Sequence, residues 1–239
     1  MFAIPPILTT YHIDAPISPL RLVLLADAHN MCPKNLKSLL LSAKPDIICV
    51  SGDLYEAPPR KKKFAIDKAI EILEICGQSA TVLYSQGNHD QTLHPDILEK
   101  LKSIHGHLLT DDKIKLGEVW FGGLASAYYQ KPSIPNLAFV QEFASLKGYK
   151  ILLCHHPEYY RHYLKDFNLP LILSGHNHGG QWSFFGRGIY VPRQGLFPPH
   201  TQGVIDGRLV VSRGLSNNVP VPRIFCPTEL VLLTIGEEN

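Results

Sequence analysis

Leu22-Val23-Leu24-Leu25-Ala26-Asp27-Ala28-His29 is the stretch on which the fold turns: five apolar residues run straight into an aspartate and a histidine. Four more stretches repeat the arrangement. Ile47-Ile48-Cys49-Val50 leads to Gly52-Asp53, and Val82-Leu83-Tyr84 leads to Gly87-Asn88-His89-Asp90. Ile151-Leu152-Leu153-Cys154 precedes His155-His156-Pro157, and Leu171-Ile172-Leu173 precedes Gly175-His176-Asn177-His178 with Gly179-Gly180-Gln181 behind it. Short apolar runs of this kind, bounded by Gly or Pro, read as buried sheet strands. In such sheets the ligand site lies just past the strand ends. Asp27, His29, Asp53, Asn88, His155, His176 and His178 are therefore expected on one rim. Carboxylate, amide and imidazole are the ligands that hydrolytic divalent metals prefer, and a two-metal site is the expectation.

The segments between the clusters have helical spacing. Leu36, Leu39, Leu40 and Ala43 form one stripe, which Lys44-Pro45 ends. Ile66, Ala69, Ile70, Leu73 and Cys76 form a second, with Gly77 expected as the residue just past the helix. Pro95 to His105 predicts a third helix with Ile97, Leu98, Leu101 and Ile104 inward and Gly106 behind. These are β-α-β units with parallel strands. Val119 to Leu124 then reads as a strand and Leu137 to Leu146 as a helix. Past Gly180 come short strands and Gly/Pro turns: Ile189-Tyr190-Val191, Val204-Ile205, Leu209-Val210-Val211 and Leu230-Val231-Leu232-Leu233, with a hairpin signal at Asp206-Gly207. The fold class is α/β, with two sheets packed face to face and helices outside, in a single domain over residues 1–239.

Composition narrows the function classes. The chain has 239 residues, enough for a large core, and a formal net charge of +2, too small to imply nucleic acid. Arg60-Lys61-Lys62-Lys63, its one dense basic run, reads as a solvated loop before a helix. Cys32, Cys49, Cys76, Cys154 and Cys226 have no paired spacing, which fits a reducing cytoplasm. No stretch approaches the ~18 apolar residues of a membrane span.

Phosphoester hydrolysis on two cations about 3.5–4 Å apart needs a bridging carboxylate, further oxygen ligands and neutral imidazoles. Asp53, alone at its strand end, suits the bridge; Asp27 and His29, two apart on a turn, suit one cation together. In order and spacing, Asp-x-His, Gly-Asp, Gly-Asn-His-Asp, a strand-terminal His and Gly-His-x-His resemble the calcineurin-like metallophosphoesterase superfamily over residues 21–180. Gly179-Gly180-Gln181, Tyr190 and Ser212-Arg213-Gly214-Leu215 resemble its bacterial subgroup of membrane-associated phosphodiesterases and UDP-2,3-diacylglucosamine hydrolases. Many members of that subgroup carry an N-terminal hydrophobic anchor, which Met1-Phe2-Ala3-Ile4-Pro5-Pro6 does not resemble.

The resemblance implies a four-layer α/β/β/α sandwich of two mixed sheets, and a dinuclear centre of Mn, Fe or Zn whose bound hydroxide attacks phosphorus. Asp27, His29 and His178 would hold the first metal, Asn88, His155 and His176 the second, with Asp53 bridging. His89 would protonate the leaving alkoxide, oriented by Asp90. The implied substrate is a small-molecule or lipid-linked phosphoester, most readily a diester, with a UDP-2,3-diacylglucosamine-type pyrophosphate as the alternative and a catalytically inactive protein-binding scaffold as the reading from another class.

Of the twelve histidines, His12, His94, His105, His107, His162 and His200 read as surface or core residues. His156 points away from its neighbour His155 and is expected to support a ligand and not to be one. Trp182, Phe184, Phe185, Ile189, Tyr190, Val191, Leu196 and Phe197 read first as hairpin packing, in loops that border the site and offer an apolar rim for peripheral membrane contact or an acyl group. Basic clusters interleaved with aromatics, as a nuclease needs, are missing.

Overall fold

The computed structural model describes residues 5–57, 65–128, 130, 133–191, 194–217 and 221–237, so the basic run Arg60-Lys61-Lys62-Lys63 lies outside the described residues. The elements of the first half are β1 (Ile7–Ile13), β2 (Leu20–Leu25), α1 (Leu36–Ala43), β3 (Ile47–Ser51), α2 (Asp67–Gly77), β4 (Thr81–Ser85), α3 (Pro95–Ser103) and β5 (His107–Leu108). Then come β6 (Asp112–Leu116), β7 (Val119–Leu124), α4 (Leu137–Ser145), β8 (Tyr149–Cys154), a π-turn over Tyr160–Leu164 and β9 (Leu171–Ser174). The last part holds β10 (Ser183–Phe184), β11 (Arg187–Gly188), β12 (Tyr190–Val191), β13 (Gly195–Leu196), β14 (Gly203–Ile205), β15 (Leu209–Val211) and β16 (Glu229–Ile235).

Two six-stranded mixed sheets result, in the orders β1-β16-β2-β3-β4-β5 and β14-β15-β9-β8-β7-β6. The strands β2, β3, β4 and β5 are parallel, as the β-α-β reading requires. The C-terminal β16 lies antiparallel to β2 and parallel to β1.

Strand alternation builds the layers, because successive side chains point to opposite faces. Val23, Leu25, Ile48, Val50, Val82 and Tyr84 pack under α1, α2 and α3. Leu22, Leu24, Cys49, Leu83, Val231 and Leu233 face the other way and meet Phe121, Ile151, Leu153, Leu171, Leu173 and Val210 of the second sheet. That sheet turns Leu152, Cys154, Ile172 and Val211 outward onto Phe139, Val140, Phe143, Tyr160 and Leu164. Each such fully buried side chain contributes about 1.5–3 kcal/mol of transfer free energy. The result is the expected α/β/β/α stack. All five cysteines are free.

Local details depart from the sequence reading in the helix ends. Gly77 closes α2 from inside the helix, and a Cβ there would lie 2.6 Å from Ile104 Cβ. The glycine serves the contact of α2 with the end of α3, not a left-handed cap. After α3 the left-handed residue is His105 (φ 54°), not Gly106, and Leu98 stays exposed. The Asp206-Gly207 turn forms where expected, both residues at positive φ, with Arg208 N–H donating to Ile205 O at 3.1 Å. β1 and β6 have no counterpart in the sequence reading.

Alanine is a better helix former than glycine by about 0.8–1 kcal/mol, yet overpacking typically costs about 1–3 kcal/mol. Gly77→Ala is therefore expected to lower the urea midpoint, and adding Ile104→Ala should remove the Gly77→Ala penalty. Additive losses in the double variant would refute the contact.

Candidate metal centre

The carboxyl ends of β2, β3, β4, β8 and β9 meet at one rim, drawing ligands from both sheets. Backbone bonds stitch that rim. Asp27 N–H donates to Gly52 O (3.1 Å), His29 N–H to Asp53 O (2.9 Å) and Gly175 N–H to His155 O (3.1 Å). The His155 ring crosses between sheets, its Nδ1 donating to Ser51 O at 2.8 Å.

Five of the seven expected ligands have left-handed backbones: Asp27 (φ 54°), His29 (47°), Asp53 (54°), His176 (70°) and His178 (47°). Such conformations cost on the order of 1–3 kcal/mol each and cluster at functional sites. The glycines before the ligands serve close approach. A Cβ on Gly87 would lie 2.2 Å from Asp53 Oδ1, and one on Gly175 would lie 2.5 Å from Asp27 Oδ2.

The side chains converge in overlapping sets, with His29, Asp53 and His89 forming the one that links the next two. Ligand atoms of Asp27, His29 and His178 lie within 4.8 Å of one another, and so do those of Asp53, His155 and His176. Asn88 lines the same cavity, and its Oδ1 is buried without a hydrogen bond among the described residues, as is His155 Nε2. The latter atom faces Asp53 Oδ2 at 3.2 Å. Orphaned atoms of this kind, on an amide and an imidazole beside the carboxylates of Asp27 and Asp53, fit a divalent cation.

Glu56, which the sequence reading missed, organises two of the imidazoles. Its Oε1 accepts from His29 Nδ1 at 2.9 Å and its Oε2 from His89 Nδ1 at 2.8 Å, so both rings turn Nε2 toward the site. The available signal was a carboxylate three residues past Asp53, in the same strand-end turn. Asp90, expected to orient His89, faces away: its carboxylate accepts from Leu54 N (2.6 Å), Tyr84 Oη (2.7 Å) and Gly87 N (2.6 Å). It braces the turn carrying Asn88 and His89 from beneath, and burial, with Asp53 adding to it, pushes its carboxyl up to about 6.

His156, expected to support a ligand and not to be one, sits with Glu158 and His176 in a further group whose ligand atoms lie within 4.8 Å of one another. Nε2 lies 2.6 Å from Ser126 Oγ, and Nδ1 lies 3.3 Å from Glu158 Oε1, which in turn is 3.7 Å from His176 Nε2. Glu158, Ser126 and Arg223 are further site neighbours that sequence reasoning missed, since neither periodicity nor strand ends mark them.

Charge balance at the centre is held by protons. Burial works to raise the Asp53 carboxyl, but His155 and His89 outweigh it and hold it well below the usual range. Burial works to strip His155 of its proton, yet Asp53 and then Asp27 win, pushing it up to about 10. The Asp27 carboxyl is raised by burial, and burial pushes His176 down to about 3. The Arg223 guanidinium lies 3.0 Å from His178 Nδ1, and His178 Nε2 lies 3.2 Å from His29 Nε2.

Two cavities meet here, sharing Tyr128 and His176. The larger, about 580 Å³, exposes Asp53, Asn88, His89 and His178 and is walled by Trp182, Ile189, Tyr190, Val191, Leu196 and Val221. Of the apolar segment at 182–199, Phe184 instead packs edge-on against Phe225 at 5.5 Å, and Phe185 projects fully into solvent from the β10–β11 turn. Among the described residues, no helix is long and apolar enough to cross a membrane.

The fold and the ligand set define a metal-dependent phosphoesterase architecture. The calcineurin-like phosphoesterase family model matches residues 20–180, and the chain belongs to that family. An uncharacterized metallophosphoesterase of Campylobacter jejuni is 29% identical over 237 residues, covering 90% of this chain and 59% of its own. One from Aquifex aeolicus is 25% identical, over 82% of this chain and 75% of its own. UDP-2,3-diacylglucosamine pyrophosphatase LpxG of Chlamydia muridarum is 31% identical over 154 residues, 60% of this chain and 45% of its own. The chain thus spans about half to three quarters of these relatives. A metallophosphoesterase structure from Sphaerobacter thermophilus aligns over 84% of this chain and 79% of its own, at TM-score 0.35 and 15% identity.

Imidazoles must shed protons to ligate a cation. Metal binding is therefore expected to release protons and to strengthen as pH rises. Calorimetry in buffers of different ionisation enthalpy reads this as buffer-dependent heat; buffer-independent heat would contradict the proton-held charge balance.

Proposed function

We propose that the protein is a metal-dependent phosphodiesterase working on a dinuclear centre. The observation that carries this reading is the placement of His89, fixed through Nδ1 by Glu56 and facing the cavity with Asp53, Asn88, His176 and His178. Asp27, His29 and His178 would hold one cation, Asn88, His155 and His176 the other, with Asp53 shared. When bound, such a pair of Mn, Fe or Zn ions neutralises phosphoryl oxygens and lowers the pKa of water.

The chain's own residues supply the rest. Glu56 keeps the His29 and His89 rings from rotating. His89 Nε2, 3.8 Å from Asp53 Oδ2, is placed to give a proton to the leaving oxygen. A general acid matters most for the poor leaving group of an alkyl diester. Intact ligands and strained backbones at five of them speak against an inactive scaffold.

Elemental analysis of metal-replete protein is expected to find two ions per chain; one or none sinks the dinuclear model. Asp53→Ala should abolish metal pairing and activity together. His89→Ala should keep the metals and lower turnover by roughly 10²–10⁴-fold, less for p-nitrophenyl leaving groups. Parallel metal loss in His89→Ala would make it a ligand instead.

A second reading, a lipid-linked nucleotide-sugar pyrophosphate hydrolase, is favoured by the apolar wall of the larger cavity and by the likeness to LpxG. A wall contact of ~100 Å² is worth roughly 2.5 kcal/mol, nearly two decades in affinity before ordering costs. Tyr190→Ser with Leu196→Ser should weaken long-chain and aryl diesters more than short-chain ones; equal effects would reject the second reading and leave the first.

A further inference from the structure

The smaller cavity, about 400 Å³, differs in character from the apolar one. Arg161, His162, Gln194, Pro199 and His200 line it together with Glu158 and the shared Tyr128 and His176. Its size suits a phosphorylated sugar or nucleoside.

Arg161 is the informative residue. Among the described residues Arg21, Arg208, Arg213 and Arg223 all spend their guanidinium on carbonyls, hydroxyls or a carboxylate, which leaves Arg161 and the hairpin residue Arg187, and of these two Arg161 lines the cavity. Arg161, on the π-turn beside the cavity, has no hydrogen bond or ion pair among the described residues. Lys165 follows one turn later, and both cations, with His162, act on His200 and hold its proton affinity down after burial does so first.

Of the carboxylates nearby, Asp206 is engaged, whereas Glu158 is held through Oε1 and keeps a buried Oε2 without a hydrogen bond among the described residues. Glu158 Oε1 lies 3.3 Å from His156 Nδ1 and 3.7 Å from His176 Nε2, and Asp206 accepts from Tyr160 Oη at 2.8 Å. The cavity wall is also braced: Gln194 Nε2 donates to Asn177 Oδ1 and Asn177 Nδ2 to His200 O, each at 2.9 Å. An uncommitted guanidinium thus faces a held polar pocket that opens onto the metal-ligand rim. A guanidinium is suited to bidentate recognition of phosphate.

We propose that this cavity is a subsite for a second phosphate of the substrate, with Arg161 as its anchor, so that the ester cleaved at the rim carries a further phosphate on the arm directed away from the apolar wall. The proposal rests on the phosphoesterase reading above for the identity of the rim, and it assigns the arm that reading leaves open.

The test compares binding of thymidine 5′-phosphate and thymidine 3′,5′-bisphosphate to the metal-loaded protein by calorimetry. The bisphosphate is expected to bind at least about tenfold tighter, the scale of a charge-assisted hydrogen bond. Arg161→Ala should collapse that advantage and Arg161→Lys, which keeps the charge but not the bidentate fork, should retain only part of it. Arg187→Ala removes another exposed cation, on the β10–β11 hairpin, and should leave the advantage unchanged; a loss there would mean bulk charge attraction and overturn the subsite. No gain from the added phosphate, or a gain that survives Arg161→Ala, overturns it as well. Turnover of bis-p-nitrophenyl phosphate by the same preparations judges the phosphodiesterase reading separately. Failure there with the Arg161-dependent preference intact rejects that reading and keeps the subsite.

Discussion

Asp53 is the constraint around which the rim is arranged. Its carbonyl receives His29 N–H, its Oδ1 receives His89 N–H at 2.8 Å, and its Oδ2 faces His155 at 3.2 Å. Those partners come from the ends of β2, β4 and β8, so one buried residue, through its carbonyl and its carboxylate, reaches three strand ends across both sheets. A buried charge survives only when paired and hydrogen-bonded. The imidazoles around Asp53 meet that condition, and the glycine at 87 makes room for it.

The same requirement explains where strain is stored. Turning Asp27, His29, Asp53, His176 and His178 inward requires left-handed backbones that L residues otherwise avoid. The closely packed sheets on either side, with alternate residues filling both faces, hold these conformations in place. Asp90 plays a bracing part for the turn above it, and Glu56 locks the imidazoles of His29 and His89. The two carboxylates thus exchange the roles that chain proximity suggests: the neighbour of His89 supports backbone, and the distant residue orients its ring.

Two cavities of different character flank the rim. The small hairpins after His178 supply an apolar wall on one side, while the π-turn and the His200 loop supply a polar pocket on the other. Tyr128 and His176 line both. The residues matched by the calcineurin-like family model end at 180, so the apolar wall comes from segments beyond it.

The four-layer α/β/β/α architecture, the parallel β2–β5 order and the gathering of the residues from Asp27 to His178 at one rim were legible in the sequence, because apolar runs of strand length ending in Asp, Asn or His state both burial and direction locally. The helix stripes were legible for the same reason, since 3.6-residue periodicity is a local property. Tertiary structure alone decided the rest. That Glu56 and not Asp90 grips His89 depends on how two strand-end turns face each other, which no spacing encodes. The role of Gly77 depends on Ile104, a residue from another helix. The places of β1 and β16 depend on a pairing between chain ends. Arg161, unremarkable among 23 basic residues, gains its meaning only because folding leaves it uncommitted beside the rim. Local chemistry selects which residues can act; long-range packing selects which of them meet.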